Sequence, residues 1–123
     1  MSDILCHDPA AIEKLERLAG HEFVVEMLDL FFDYAPNRIA AAREAWQAGD
    51  LHGVEQAVHP LKASALHVGA QKMNALAKQM EQMAREKNAA PLTALFAEIE
   101  AAFAEVKPIL QTARAASAAK LSG

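Results

Sequence analysis

Apolar residues recur three and four positions apart along most of the chain, which is the spacing of a buried stripe on an α-helix. The clearest stripe lies between residues 50 and 69. Gly49 is a typical helix end, Asp50 a typical helix start, and Gly69 again a helix end. The stripe consists of Leu51, Val54, Val58, Leu61, Ala65 and Val68. We therefore predict a helix over residues 50–68, with a kink near Pro60, which has no N–H to donate.

Similar spacing predicts helices before this central one. Asp8-Pro9 starts a short helix that Gly20 ends. The next helix, over residues 21–34, has a predicted buried stripe of Phe23, Met27, Leu30, Phe31 and Tyr34, widened by Val24. Pro36 interrupts the pattern, and helical spacing resumes over residues 36–48, either as a further helix or as a continuation through a bend.

After the central helix, the stripes predict helices over residues 71–87 and 91–114, with fraying after Ala116. The sum is about six helical segments joined by short loops. Alanine, Leu, Glu, Lys, Gln and Met dominate the sequence and favour helix, whereas Val, Ile, Thr and aromatic residues are too scattered for a sheet. We predict an all-α fold: one domain over residues 1–123, an antiparallel up-down four-helix bundle with a short extra N-terminal helix.

Charge and composition exclude several classes of protein. The formal net charge of −4 argues against nucleic-acid binding. No apolar run approaches the ~20 residues of a membrane span, and no signal peptide is recognisable, so a cytoplasmic protein is expected. The single cysteine, Cys6, rules out an intrachain disulfide and a cysteine-based zinc site. Met1 and the frayed end at Gly123 favour a free-standing protein.

The candidate chemistry lies with the histidines, since phosphate-binding loops and common hydrolase motifs are absent. His7 and His21 lie at predicted helix starts, where a solvated role is expected. His52 and His59 share a helix face but are two turns, about 11 Å, apart, which is too far to hold one metal ion. We therefore predict no metal site.

His59 stands out by its surroundings. It follows Val58 by one residue, which turns it roughly 100° away from the buried stripe. Lys62 and Ala63, three and four residues later, are its neighbours on the same surface. An imidazole and an ammonium group therefore adjoin on a rigid helix, although the bare His-x-x-Lys spacing is common by chance.

The longer segment resembles the signature of histidine-containing phosphotransfer (HPt) domains, which is His-x-Leu-Lys-Gly-Ser followed by small and apolar residues and a Gly-Ala pair. The segment here is Val58-His59-Pro60-Leu61-Lys62-Ala63-Ser64-Ala65-Leu66-His67-Val68-Gly69-Ala70. Further similarities are Phe23 with Met27-Leu28-x-Leu30-Phe31 and Pro36, the Gly49-Asp50 turn, and Met80-Glu81 with Arg85. The resemblance extends from about residue 10 to residue 112.

The resemblance implies a phosphorelay intermediate of two-component signalling, a phosphocarrier without turnover of its own. His59 would accept a phosphoryl group from a receiver-domain aspartate, and Lys62 would stabilise that group. The implied partners are the receiver domains of a hybrid sensor kinase and of a response regulator, with magnesium supplied by the receiver and no cofactor in this chain. We expect a monomer.

Four more residues are expected to support or dock the partner: Pro60, Ala63, Ser64 and Leu66. Ser64 would hydrogen-bond within the helix or orient a neighbour, and a core position for Leu66 competes with a docking role. Ala63 replaces the usual glycine and Pro60 is unusual at its place, so slower transfer or altered partner choice is expected. Two alternatives stay open: an HPt-like adaptor that binds receivers without carrying phosphate, and a bundle that binds a cofactor through histidines and methionines.

Overall fold

The computed structural model describes residues 5–122, and these residues form five helices. They are α1 (Pro9–Ala19), α2 (His21–Gln47), α3 (Leu51–His67), α4 (Gln71–Arg85) and α5 (Leu92–Ser122). The predicted all-α class is confirmed, since no strand occurs within this range.

Helices α2 to α5 pack in a closed ring. Helix α3 contacts α2 and α4, and α5 closes the ring by contacting the same two helices. Helix α1 lies mainly on α2 and also touches α3. Connections of three residues, 48–50 and 68–70, join α2 to α3 and α3 to α4, so that consecutive helices reverse direction. The predicted bundle with an extra N-terminal helix is consistent with this packing.

The segments predicted over residues 21–34 and 36–48 are one helix, α2, which continues through Pro36. The chain therefore has five helices in its described part and not about six. Ala35, Ile39 and Ala42 are all buried on the same face of α2, on both sides of the proline. We infer that this packing offsets the backbone hydrogen bond that Pro36 cannot make.

The predicted buried stripe of α2 was partly wrong. Phe23, Leu30 and Tyr34 are 38%, 66% and 37% exposed. The buried positions are Val24, Leu28, Phe31, Ala35, Ile39 and Ala42. These six positions are three and four residues apart, so the buried face is rotated from the predicted stripe and leaves Phe23, Leu30 and Tyr34 towards solvent. An apolar surface consequently lies on α2.

The predicted fraying after Ala116 was also wrong, because α5 continues to Ser122. Ser117 is fully buried, and its hydroxyl donates to Glu16 Oε1 of α1 at 3.1 Å. One turn earlier, Arg114 donates to both carboxylate oxygens of Asp29 on α2, at 2.6 and 3.0 Å. These contacts to α1 and α2 give the last turns of α5 tertiary partners that local sequence does not reveal.

The turn between α3 and α4 is held by the N-terminal segment. Gly69 is buried with φ +80°, and a Cβ there would overlap the carbonyl oxygen of Asp8, so only glycine fits. The Asp8 N–H donates to the Gly69 carbonyl at 2.8 Å, and His7 Nε2 donates to the Val68 carbonyl at 2.9 Å. His7 is therefore half-buried and structural, contrary to its predicted solvated role. This turn fixes how α4 returns along α3.

Candidate functional site

His59 lies on α3 with its imidazole exposed, 65% of the side chain being accessible. Its neighbours along the chain explain this position. Val58 and Leu61 are fully buried in the bundle. His59 follows Val58 by one residue, so its side chain points away from the packed face. The predicted placement of His59 beside the buried stripe agrees with the structure.

A buried carboxylate on α4, that of Glu81, organises the surroundings of His59. Its side chain is only 6% exposed. Oε2 accepts a short hydrogen bond from His59 Nδ1, and Oε1 accepts one from Lys62 Nζ at 2.5 Å. Arg85 Nη2 lies 3.5 Å from Oε2. One carboxylate thus holds an imidazole and two cations together.

The contact with Glu81 determines which nitrogen of His59 is available for chemistry. An ionised carboxylate can only accept hydrogen bonds, so Nδ1 must carry the hydrogen. In the neutral imidazole, Nε2 then has a free lone pair. No residue within the described range 5–122 forms a hydrogen bond with Nε2. The exposed ring therefore presents a nucleophilic nitrogen to solvent.

Electrostatics keep Glu81 ionised. Burial by itself raises the pKa of the carboxyl, but hydrogen bonds from Lys62 and then His59, together with their charges, outweigh it. The net result is a pKa below the ordinary value of 4.5. Glu81 is therefore an anion at neutral pH and can stabilise positive charge on the imidazole of His59.

Asn74 fixes the position of Glu81 relative to α3. It lies seven residues before Glu81 on α4, so both side chains share the face that packs against α3. Asn74 is 8% exposed, and its Nδ2 donates to the backbone carbonyl of Lys62 at 2.8 Å. This bond ties the backbone beside the site directly to α4.

The structure brings Lys62 to the site but does not leave its ammonium in open solvent. Its side chain is 24% exposed, and its ammonium donates a hydrogen bond to Glu81. An ammonium has three N–H donors, so two remain for another ligand. The predicted proximity of Lys62 to His59 therefore takes the form of a shared carboxylate.

The four predicted supporting residues separate into two kinds. Ala63 and Leu66 are exposed, Leu66 by 56%, which excludes the core position considered for Leu66. Ser64 and Pro60 are half-buried and joined, because the Ser64 hydroxyl donates to the Pro60 carbonyl at 3.2 Å. The hydrogen bond within the helix agrees with one of the two roles predicted for Ser64.

Two surface grooves flank this part of α3. The charged groove, between α3 and α4, is lined by His59, Glu81, Glu55, Gln56 and Arg85 together with His52. The apolar groove, between α2 and α3, is lined by Met27, Leu30, Phe31, Tyr34, Ser64, His67 and Val68. The exposed apolar side chains of α2 thus lie beside the helix that carries His59.

Glu81 was not predicted as a site residue, although the apolar pattern of α4 indicates that its side chain faces inward. Ala77, Met80 and Ala84 are buried at helical spacing around it, so an acidic residue falls on the inward face of α4. A buried glutamate requires a partner. Sequence alone does not show that this partner lies 22 residues earlier, on α3.

Within residues 5–122 there is no group of three or more His, Cys, Asp or Glu side chains that could hold a metal ion. None of the described helices is long and apolar enough to cross a membrane.

Comparison with known proteins agrees with the geometry. A family model described as "Hpt domain" matches residues 26–109. Among solved structures, the chain is similar to histidine-containing phosphotransfer protein B from Pseudomonas aeruginosa PAO1, with 26% sequence identity and a TM-score of 0.83. That match covers 89% of this chain and 94% of the other. A search of curated proteins gave no significant match.

Proposed function

The chain belongs to the Hpt domain family, whose members are phosphocarriers in two-component signalling, and we propose that His59 is the residue that carries the phosphoryl group. In this proposal His59 accepts the group from a receiver-domain aspartate and passes it to a response regulator. The observation that carries the proposal is the contact between His59 Nδ1 and the buried carboxylate of Glu81, which leaves Nε2 exposed.

The transfer step requires no separate general base, because the attacking nitrogen, Nε2, carries no hydrogen. His59 Nε2 attacks the phosphorus of the aspartyl phosphate, a P–N bond forms, and the P–O bond to aspartate breaks. The aspartate leaves as a carboxylate, and the phosphorylated imidazole is cationic while Nδ1 keeps its hydrogen. Glu81 is placed to stabilise that cation through the same hydrogen bond, and the reverse transfer follows the same path.

Lys62 is proposed to stabilise the transferring group. Negative charge spreads over the equatorial oxygens of phosphorus during transfer. Glu81 holds the Lys62 ammonium beside the imidazole, and its remaining N–H groups can turn towards those oxygens. Magnesium would come from the receiver.

The apolar groove and its exposed rim are proposed as the receiver's docking surface. Leu30 and Tyr34 on α2, and Ala63 and Leu66 on α3, offer apolar area without charge. The chemistry that fits is an amphipathic helix of the receiver laid across the two helices. Ser64 and Pro60, joined by their hydrogen bond, support α3 beneath this surface.

Phosphoryl transfer from a labelled receiver tests the assignment. The wild-type chain, mixed with a phosphorylated receiver, should acquire acid-labile, base-stable label. His59→Gln should lose all of it. His52→Gln is the matched control, because His52 is an exposed histidine on the same helix, two turns earlier, and is 74% exposed.

Retention of label in His59→Gln would contradict the assignment of this residue. Binding of receivers by the wild-type chain with no label, even after long incubation, would favour the adaptor function. Replacement of Ala63 by glycine measures how far the departure from the family pattern slows the transfer.

A further inference from the structure

We propose that Glu55 restrains Arg85 at the edge of the charged groove and so limits how much positive charge reaches the phosphoryl group on His59. The inference rests on the proposed function of His59 and adds a positioning pair to it. In this arrangement Arg85 assists phosphorylation of His59, and Glu55 opposes that assistance.

The geometry places Arg85 between two carboxylates. Its Nε donates to Glu55 Oε2 on α3 at 3.1 Å, and its Nη2 lies 3.5 Å from Glu81 Oε2. His59 Nδ1 contacts that same oxygen of Glu81. The guanidinium and the imidazole therefore approach the same oxygen atom, and both line the charged groove.

The two contacts of Arg85 differ in strength. The bond to Glu55 has ordinary hydrogen-bond length, whereas 3.5 Å to Glu81 is long for a hydrogen bond. Arg85 is also 54% exposed, so its side chain can move. When a phosphoryl group adds negative charge beside Glu81, the loosely held edge of the guanidinium is free to turn towards it.

Glu55 competes with the phosphoryl group for the same cation. It is an acid on α3, 26% exposed, and a hydrogen bond holds Arg85 to it in the unphosphorylated chain. Removing the charge of Glu55 should release Arg85 and strengthen its attraction to phosphate oxygens. Without the charge of Arg85, Glu55 should affect the phosphoryl group only by direct electrostatic repulsion, which salt screens.

Phosphoramidate provides a test that needs no partner protein. It is a small anionic donor: Nε2 attacks its phosphorus, the donor's P–N bond breaks, ammonia leaves, and a new P–N bond forms on His59. The measured quantity is the second-order rate constant for formation of phosphohistidine, followed by ³¹P NMR. Urea denaturation confirms that each variant is folded.

Arg85→Gln should lower the rate constant by about two- to fivefold, the scale of one partly exposed charge interaction. Glu55→Gln should raise it by about twofold. The double variant should match Arg85→Gln, since Glu55 acts through Arg85. Arg85→Lys should lie between the wild type and Arg85→Gln, because an ammonium lacks the fork that can contact two partners.

Arg114→Gln is the matched control and should leave the rate constant unchanged. Arg114 is also an arginine bonded to a carboxylate across two helices, but its partner is Asp29, and neither lines the charged groove. A wild-type rate in Arg85→Gln would overturn the proposal, as would an equal effect of Glu55→Gln with and without Arg85. Failure of the wild-type chain to form phosphohistidine would contradict the proposed function itself. The two failures are distinguishable, because the first appears only in the variants and the second already in the wild type.

Discussion

The two grooves beside α3 differ in the chemistry and in the burial of the side chains that form them. The charged groove depends on one buried carboxylate, Glu81, whose partners come from two helices. The apolar groove has exposed side chains such as Leu30, which is 66% accessible. Substitution in the first disturbs buried charges, whereas substitution in the second removes surface that only a partner would cover.

Under the proposed function, this difference separates phosphoryl chemistry from recognition of the receiver. The charged groove orients His59 in the free protein, so its effects should appear without any partner. The apolar groove contributes little to the fold, and its effects should appear only when a receiver binds. Substitutions in the two grooves should therefore differ in their effects on stability and on receiver binding.

Lys62→Met should destabilise the fold the most. Glu81 would remain buried without its closest cation, and the free energy of unfolding should fall by about 1–3 kcal/mol at neutral pH. The measurement is urea denaturation followed by circular dichroism. Leu30→Ala, on the apolar groove, should change the same quantity by less than about 0.5 kcal/mol. Equal losses in the two variants would contradict the division between the grooves.

Leu30→Ala should instead weaken receiver binding. Loss of an apolar anchor at a protein interface is expected to reduce affinity about tenfold, measured by calorimetric titration with an unphosphorylated receiver. Ile109→Ala is the control, since Ile109 is also exposed, by 41%, but lies on α5 and does not line the apolar groove. A similar loss in both variants would remove the docking role from the apolar groove.

The contribution of Glu81 to stability should depend on pH. Its folded-state pKa lies below the ordinary 4.5, so ionised Glu81 stabilises the fold above that pH. This stabilisation should be lost as the pH falls through the lower folded-state value. The excess stability of the wild type over Glu81→Gln, measured by urea denaturation from pH 7 to pH 3, should therefore shrink below about pH 4.5. A difference that stays constant over this range would mean that ionisation of Glu81 does not matter.

The smallest effect is expected for a carboxylate outside both grooves. A hydrogen bond from Arg114 lowers the pKa of Asp29, as the cations lower that of Glu81, but Asp29 is exposed. Asp29→Asn should leave the urea midpoint unchanged within error, because water and salt screen surface ion pairs. A loss as large as that of Lys62→Met would show that burial is not what distinguishes the two carboxylates.

Much of the fold follows from local pattern. Helix starts at Asp8 and Asp50 are confirmed by side-chain caps, in which each carboxylate accepts a backbone N–H. The sequence left open whether the helix continues through Pro36, and the prediction of fraying after Ala116 failed, because packing against other helices decides both points. The prediction for Tyr34 also failed, because periodicity identifies an apolar face only approximately when apolar residues surround the helix.

The sequence by itself determined most of the helical segments, the family resemblance and the face on which His59 lies, since helical geometry fixes the angle between His59 and its buried neighbour Val58. Only the tertiary structure decided which nitrogen of His59 is exposed. That choice depends on Glu81, which comes from another helix and reaches α3 because the Gly69 turn brings α4 back beside it. A local pattern specifies direction on one helix, whereas the partner of a side chain depends on how helices pack.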